Sequence, residues 1–405
     1  MTLRGSEVRV LYRAPMKILS IETSCDETAV SIVEALGDIN SPVFSVLGNA
    51  LFSQINIHKE YGGVFPMLAK REHAKNLPPI LEKALTEASL FTKGKTDYSE
   101  KLWEEIKMTV NREEGLYEGL RNTFENILKP DIDVISVTSG PGLAPALWVG
   151  ISCAQALGKL WNLPVIPINH MEGHIASVLI SNTDNESVIF PALALLISGG
   201  HTEIVNIKNW GEYKVIGKTR DDAVGEAFDK AARMLDLPYP GGPEISRLAE
   251  KARNENISQT AKLPRPMLHS KDLDFSFSGL KTSVLYYLRD NPDLSEERKA
   301  DLAREFEDSV VEVLLTKTKE ALEETGAESL IVAGGVIANK KIRESFTNLK
   351  VEYPNLNIKI PTMKLATDNA LMIAAATYIN ILLYPEIIKN QHKIIAKGNL
   401  ELGVK

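Results

Sequence analysis

Cysteine is nearly absent from this chain: Cys25 and Cys153 are the only two in 405 residues. Two thiols cannot build a disulfide framework, so a reducing compartment is the expectation. Neither lies in a C-x-x-C pair, which removes zinc-knuckle and dithiol redox motifs. Long apolar runs are also missing, and no stretch reaches the roughly 18 residues that a membrane-spanning helix needs. Basic excess is missing too. The formal net charge is −7, so the chain as a whole carries no electrostatic footprint for nucleic acid. Any basic surface must be local, as at Lys70-Arg71 with Lys75 or from Lys262 to Lys281. Each such run, taken alone, reads as a solvated face. Finally, no G-x-x-x-x-G-K-[ST] or well-formed G-x-G-x-x-G occurs, which argues against a P-loop or Rossmann nucleotide site.

What is present is an ordinary globular composition, with 44% apolar and 24% charged residues. At about 150 residues per domain, the length suits two or three domains or two lobes of a duplicated fold. Residues 1–15 read as an N-terminal extension. Arg4, Arg9 and Arg13 raise the alternative of a transit peptide, but the stretch is short, contains Glu7 and has little serine. From Met16 the pattern is clear. MKILSIE reads as a strand, TSCDET as a tight polar loop, and AVSIVEA as a second strand. Residues 69–90 have helical spacing, with Leu77, Ile80, Leu81, Ala84 and Leu85 on one face. Residues 91–129 are highly charged and read as an insert of one or two surface helices outside the core. DVISVT then forms a strand ahead of SGPGLAPAL and a helix of small residues from Trp148 to Trp161.

The second half opens as the first does. PALALLISGGHTEIVNIK is again strand, tight loop, strand. Helices are expected over 221–235 and 296–325, and strand–turn–helix over 329–346. A buried helix follows Thr367-Asp368, read as an N-cap pair, and the tail after Pro385 is poorly patterned. Alternating strands and helices argue for an α/β protein. The repeated opening argues for duplication around a cleft, with lobe I at 16–168, lobe II at 169–366, a closing helix at 367–384 and a tail at 385–405.

Three groups of residues carry chemistry. His170 and His174, in His-Met-Glu-Gly-His, stand at i and i+4 on one helix face and can reach one metal ion. A zinc protease needs glutamate directly after the first histidine, where this chain has Met171. The third ligand must come from elsewhere, and Asp368 is the candidate; on the sequence alone it is equally a helix cap. The second group is three glycine pairs, Gly199-Gly200, Gly241-Gly242 and Gly334-Gly335. One such pair is usually a turn, but three at strand ends and helix starts suit a nucleotide lying across a cleft. The third group is acidic: Asp26 and Glu27 in the first loop, and Asp229 on the helix AFDKAAR.

In order along the chain stand IETSCDET, SGPGL, NHMEGH, LLISGGHTE, GEAFDK, YPGGP, FSFSGLKT, AGGVIAN and TDNA. Together they resemble the universal tRNA threonylcarbamoyladenosine transferase family, formerly described as O-sialoglycoprotein endopeptidase, over about residues 16–384. The resemblance implies a two-lobed fold of the actin/sugar-kinase/Hsp70 type with a nucleotide cleft. It implies transfer of a threonylcarbamoyl group from threonylcarbamoyl-AMP to the N6 amine of the adenosine beside the anticodon, in tRNAs reading codons that start with A. It implies His170, His174 and Asp368 as ligands of one divalent metal ion, with iron the leading expectation and zinc or manganese also compatible. Leu196, Ile197, Ser198, Gly199, Gly200, Asp229, Gly242 and Asn339 match adenylate-binding positions, and Asp26 and Glu27 match the acidic loop at the reacting centre. Ser246 departs from the pattern, standing where some relatives have an acidic ribose contact. The implied partners are a shorter paralogue and an ATPase subunit, or a second copy in a homodimer, and no membrane. The expected location is the cytoplasm, or an organelle if residues 1–15 are a transit peptide. The rival readings are an ATP-dependent kinase or carbamoyltransferase of the same fold, a metalloprotease, and a non-enzymatic scaffold.

Overall fold

Alternating apolar residues make the two sheets, and both sheets are built to one plan. In the computed structural model, which describes residues 14–180, 187–389 and 393–403, the first sheet contains five strands. These are β1 (Met16–Glu22), β2 (Glu27–Leu36), β3 (Val43–Ser53), β4 (Val134–Gly140) and β5 (Val165–Asn169), in the order β3-β2-β1-β4-β5. The second contains β6 (Ala192–Ile197), β7 (Thr202–Ile207), β8 (Tyr213–Lys218), β9 (Ser329–Ala333) and β10 (Asn357–Lys359), in the order β10-β9-β6-β7-β8. In each, the first three strands form an antiparallel meander, and the last two join the first in parallel. The expected duplication is therefore present strand for strand. The extension at residues 1–13 lies outside the described residues.

Helices cover the first sheet: α1 (Ile55–Lys59), α2 (Pro66–Glu87), α3 (Glu100–Thr109), α4 (Leu116–Phe124) and α5 (Ala144–Trp161). The expected stripe of α2 is buried, from Leu77 to Leu85. The segment 91–129 differs from expectation. It is not a surface addition, because Trp103, Ile106, Leu116, Leu120 and Phe124 enter the same core as Leu77 and Trp161. The Phe124 and Trp161 rings meet edge to face with centroids 5.6 Å apart. Its many charges lie on the outer faces of two short amphipathic helices, while apolar residues at i, i+3 and i, i+4 face inward.

Two helices, α6 (His170–Ile180) and α13 (Ala370–Leu383), lie between the sheets, and both are apolar nearly all round. Such a helix is stable only when covered on every side. Here the cover comes from both lobes: Ile18, Val134 and Ile168 of the first sheet, and Ala194, Leu196 and Ile331 of the second. The second lobe carries α7 (Val224–Met234), α8 (Gly241–Asn254), α9 (Ser278–Asp290), α10 (Glu296–Thr325), α11 (Lys340–Glu352) and α12 (Met363–Ala366). No helix among the described residues is long and apolar enough to cross a membrane.

Candidate metal centre and nucleotide cavity

The NHMEGH sequence folds into the first turns of α6 because Asn169 caps it. The Asn169 side-chain carbonyl accepts from the Met171 N–H at 2.8 Å. His170 and His174 then fall one turn apart on one face, with ring centroids 4.7 Å apart. Met171 and Ile175 point instead into the core between the lobes. Asp368 approaches from the start of α13. Its Oδ1 lies 3.5 Å from His170 Nε2 and 3.3 Å from His174 Nε2. The alternative role of Asp368 as helix cap is excluded, because Asn369 takes it: Asn369 Oδ1 accepts from Met372 N at 3.0 Å.

The donor set fits a divalent cation. The three ligand atoms lie within 4.8 Å of one another. Metal–ligand bonds of about 2.0–2.2 Å put neighbouring ligand atoms near the spacings seen at Asp368. His174 is fully buried, yet neither ring nitrogen makes a well-formed hydrogen bond. A buried polar atom without a partner costs about 1–3 kcal/mol, which a metal bond would offset. Burial works against charge on Asp368, but the two histidines outweigh it and hold the carboxyl well below the usual carboxylate range.

Glu22, which the sequence reading missed, supports this cluster. It is completely buried at the end of β1 and receives His170 Nδ1 (3.1 Å), the Ser24 N–H and the Thr138 hydroxyl. A carboxylate on the far nitrogen of a ligating histidine fixes its tautomer and leaves Nε2 for the metal. The one signal in the sequence was an acid at the end of an otherwise apolar strand. Glu172, the only carboxylate within the two-histidine motif, turns away and accepts from Asn380 Nδ2 at 3.2 Å. Glu172 is thus not placed as the base that the metalloprotease reading needs from this motif.

Beside this centre, the second lobe holds a cavity of about 390 Å³. Gly199, Asp229, Gly242, Ser246 and Asn339 line it, together with Gly225, Phe228, Arg247, Glu250 and Lys340, which the sequence reading did not single out. A volume in this range suits a nucleotide-sized ligand. Two of the three glycine pairs, Gly241-Gly242 and Gly334-Gly335, divide their work. A Cβ on Gly241 would lie 2.5 Å from Ala232 Cβ, and one on Gly334 would lie 2.4 Å from the Ile197 carbonyl oxygen. Their partners, Gly242 and Gly335, and both Gly199 and Gly200, have open space at the same position. One member lets the backbone pack, and the other leaves it bare toward the cavity.

Not every expected adenylate residue reaches the cavity wall. Leu196 and Ile197 are fully buried in β6 and serve to anchor the turn that follows. Ser198 closes that turn through its N–H to the His201 carbonyl (2.9 Å) and its hydroxyl from the His201 N–H (3.1 Å). The turn joins the two features. Gly199 lines the cavity, while His201 feels the charges of His170, His174 and Asp368. Burial, with those histidines, lowers the His201 pKa to about 4. Asp229 accepts from the Gly241 N–H at 2.7 Å and is pushed up by burial. Asn339 caps α11 through Oδ1 and spends one N–H on Glu307, which leaves the other donor available.

Asp26 ends the loop after β1, while Glu27, expected in the same loop, is already the first residue of β2 and pairs with Ser53 of β3. Burial, reinforced by the charge of Asp26, pushes the Glu27 carboxyl well above its ordinary value. Tyr239, raised first by burial, feels both Asp26 from the first lobe and Asp229 from the second. The cleft is also crossed by Arg233 Nη2, which donates to the Gly62 carbonyl at 2.5 Å.

Comparison with known proteins gives consistent matches over most of the chain. The family model for tRNA N6-adenosine threonylcarbamoyltransferase (TsaD) matches residues 45–94 and 121–375. A tRNA N6-adenosine threonylcarbamoyltransferase of Paraburkholderia xenovorans is 42% identical over 389 residues, covering 96% of this chain and 98% of the relative. The one of Herminiimonas arsenicoxydans is 41% identical over 384 residues, covering 94% and 97%. Among solved structures, full-length HypF in its phosphate- and nucleotide-bound form superposes with TM-score 0.51 at 13% identity, covering 92% of this chain and 56% of that one. That likeness concerns the fold alone.

Proposed function

This chain belongs to the tRNA N6-adenosine threonylcarbamoyltransferase family, a group of tRNA-modifying transferases, and on that premise we propose how its cleft carries out the transfer. The donor is threonylcarbamoyl-AMP. Its adenylate occupies the cavity bounded by Gly199, Asp229, Gly242, Ser246 and Asn339, and its mixed anhydride reaches past the Ser198–His201 turn toward His170, His174 and Asp368. The observation that supports this reading is the turn itself, with Gly199 in the cavity wall and His201 within electrostatic reach of the three residues.

His170, His174 and Asp368 hold one divalent ion, for which the ligand set favours iron, zinc or manganese. Bound there, such an ion would contribute Lewis-acid polarisation of the donor, worth several kcal/mol. The protein's own groups do the rest. The bare glycine backbones admit the phosphate closely. The adenosine N6 attacks the carbamoyl carbon, the bond from that carbon to the phosphate oxygen breaks, and AMP leaves. Asp26 or Glu27 orients the amine and takes its proton, and the raised pKa of Glu27 suits it to that transfer. The reaction belongs where the tRNA is, in the cytoplasm or in an organelle. For protein partners we favour a shorter paralogue with an ATPase subunit, or a second copy of this chain. Glu27→Gln is expected to lower kcat at least a hundredfold with little change in donor KM; unchanged kcat in Glu27→Gln and Asp26→Asn alike would remove the acidic loop from the mechanism.

A further inference from the structure

The tail after Pro385 showed no pattern in the sequence, yet residues 393–403 run as an ordered strap from one lobe to the other. Ile394 is buried in the core of the first lobe, and Leu402 in the core between the lobes. Between these anchors the strap bonds by its backbone to the site's scaffolding. Lys397 N–H donates to the Ser139 carbonyl at 2.9 Å, and Gly142 N–H donates to the Gly398 carbonyl at 3.1 Å. The approach is so close that a Cβ on Gly140 would lie 2.0 Å from the Lys397 carbonyl oxygen. Farther on, Asn169 Nδ2 donates to the Glu401 carbonyl at 3.1 Å.

Both contact points lead to His170, one directly through Asn169 and the other through Ser24 and Glu22. The Ser139–Leu143 loop holds the acidic loop, because Leu143 N–H donates to the Ser24 carbonyl at 2.8 Å. Ser24 in turn donates to Glu22, which orients His170. Asn169 immediately precedes His170 and caps its helix through the same side chain that grips the strap. We propose that the C-terminal strap is a positioning element for the metal centre, fixing the Glu22–His170 pair and the start of α6 through Asn169 and the Ser139–Leu143 loop. The inference rests on the metal reading of His170, His174 and Asp368. Outer partners of metal ligands commonly account for about 10- to 100-fold in metal affinity, and that range is expected here.

The test is cobalt(II) titration of the metal-free full chain, of a chain ending at Ala396, and of Asn169→Ser. Binding is followed by visible d–d absorption, and folding by circular dichroism. Serine keeps an oxygen that can cap α6 but is too short to reach Glu401. The truncated chain is expected to bind cobalt at least tenfold more weakly with an altered absorption band. Asn169→Ser should shift the same way by a smaller factor, and it decides the matter if the truncated chain does not fold. Wild-type affinity and an unchanged band in the folded variants would overturn the strap's role while leaving the metal reading intact. No cobalt band in the full chain would overturn the metal reading, and this inference with it.

Discussion

His174 shows how much one side chain can reveal. It is fully buried, and neither ring nitrogen has a proper hydrogen bond. A metal at about 100 times its Kd would stabilise the wild-type fold by about 2.7 kcal/mol through binding alone. His174→Ala is expected to stay folded, to lose that metal-dependent rise in melting temperature, and to lose transfer activity; a retained rise would place the metal elsewhere. His73 makes a second prediction. It bonds Thr28, Gln54 and the Cys25 carbonyl beneath the acidic loop, and burial lowers its pKa to about 4 from the ordinary 6.5. As pH falls below 6.5 the unfolded chain takes up the proton first. Stability present above that pH is therefore lost progressively toward pH 4, by about 3 kcal/mol at most. Denaturant midpoints of wild type and His73→Gln between pH 7 and pH 4 should converge as pH falls. Parallel curves would show that His73 is not held neutral. At this scale the sequence was legible where spacing carried the signal, as for His170 and His174. Asp368 was ambiguous because a cap and a ligand use the same residue type, and only the neighbouring Asn369 resolves the two roles. Glu22 was hidden because its partners lie 116 and 148 residues away.

At the scale of elements, the segment at 91–129 was legible as one or two inserted helices, but the depth of their burial was hidden because charge dominated its composition. Trp103, Leu120 and Phe124 are buried against α5 and α2, so the segment completes the first lobe. Phe124→Ala is expected to destabilise the protein by about 3–5 kcal/mol, as for other large core truncations. Deleting residues 95–126 should lower the melting temperature steeply and expose Trp161 to fluorescence quenchers. A deletion with wild-type stability would return the segment to the status of a surface addition. The strand β3 was also unread, for the opposite reason: as an edge strand it exposes Val43, Val46 and Leu51, and its burial alternation is irregular. The long helix α10 was legible from its amphipathic pattern, and the structure adds its ends: Ser295 caps it and Gly326 closes it in the left-handed region.

At the scale of the molecule, the two strand–loop–strand openings did foretell two sheets of one topology. What they could not foretell was how the lobes are joined. Two largely apolar helices fill the seam, and residues 393–403 bind across it. A helix apolar on every side has no periodicity from which its partners can be read. The proposed mechanism sets His170, His174 and Asp368 across the Ser198–His201 turn from the cavity, with transfer to tRNA as the activity of the family. Its most direct test is transfer of labelled threonine from threonylcarbamoyl-AMP to unmodified tRNA, with and without a chelator and with candidate partner proteins added. The account predicts label in the tRNA that disappears on chelation and returns with added metal. Transfer that proceeds undiminished in chelator and in His174→Ala would contradict it.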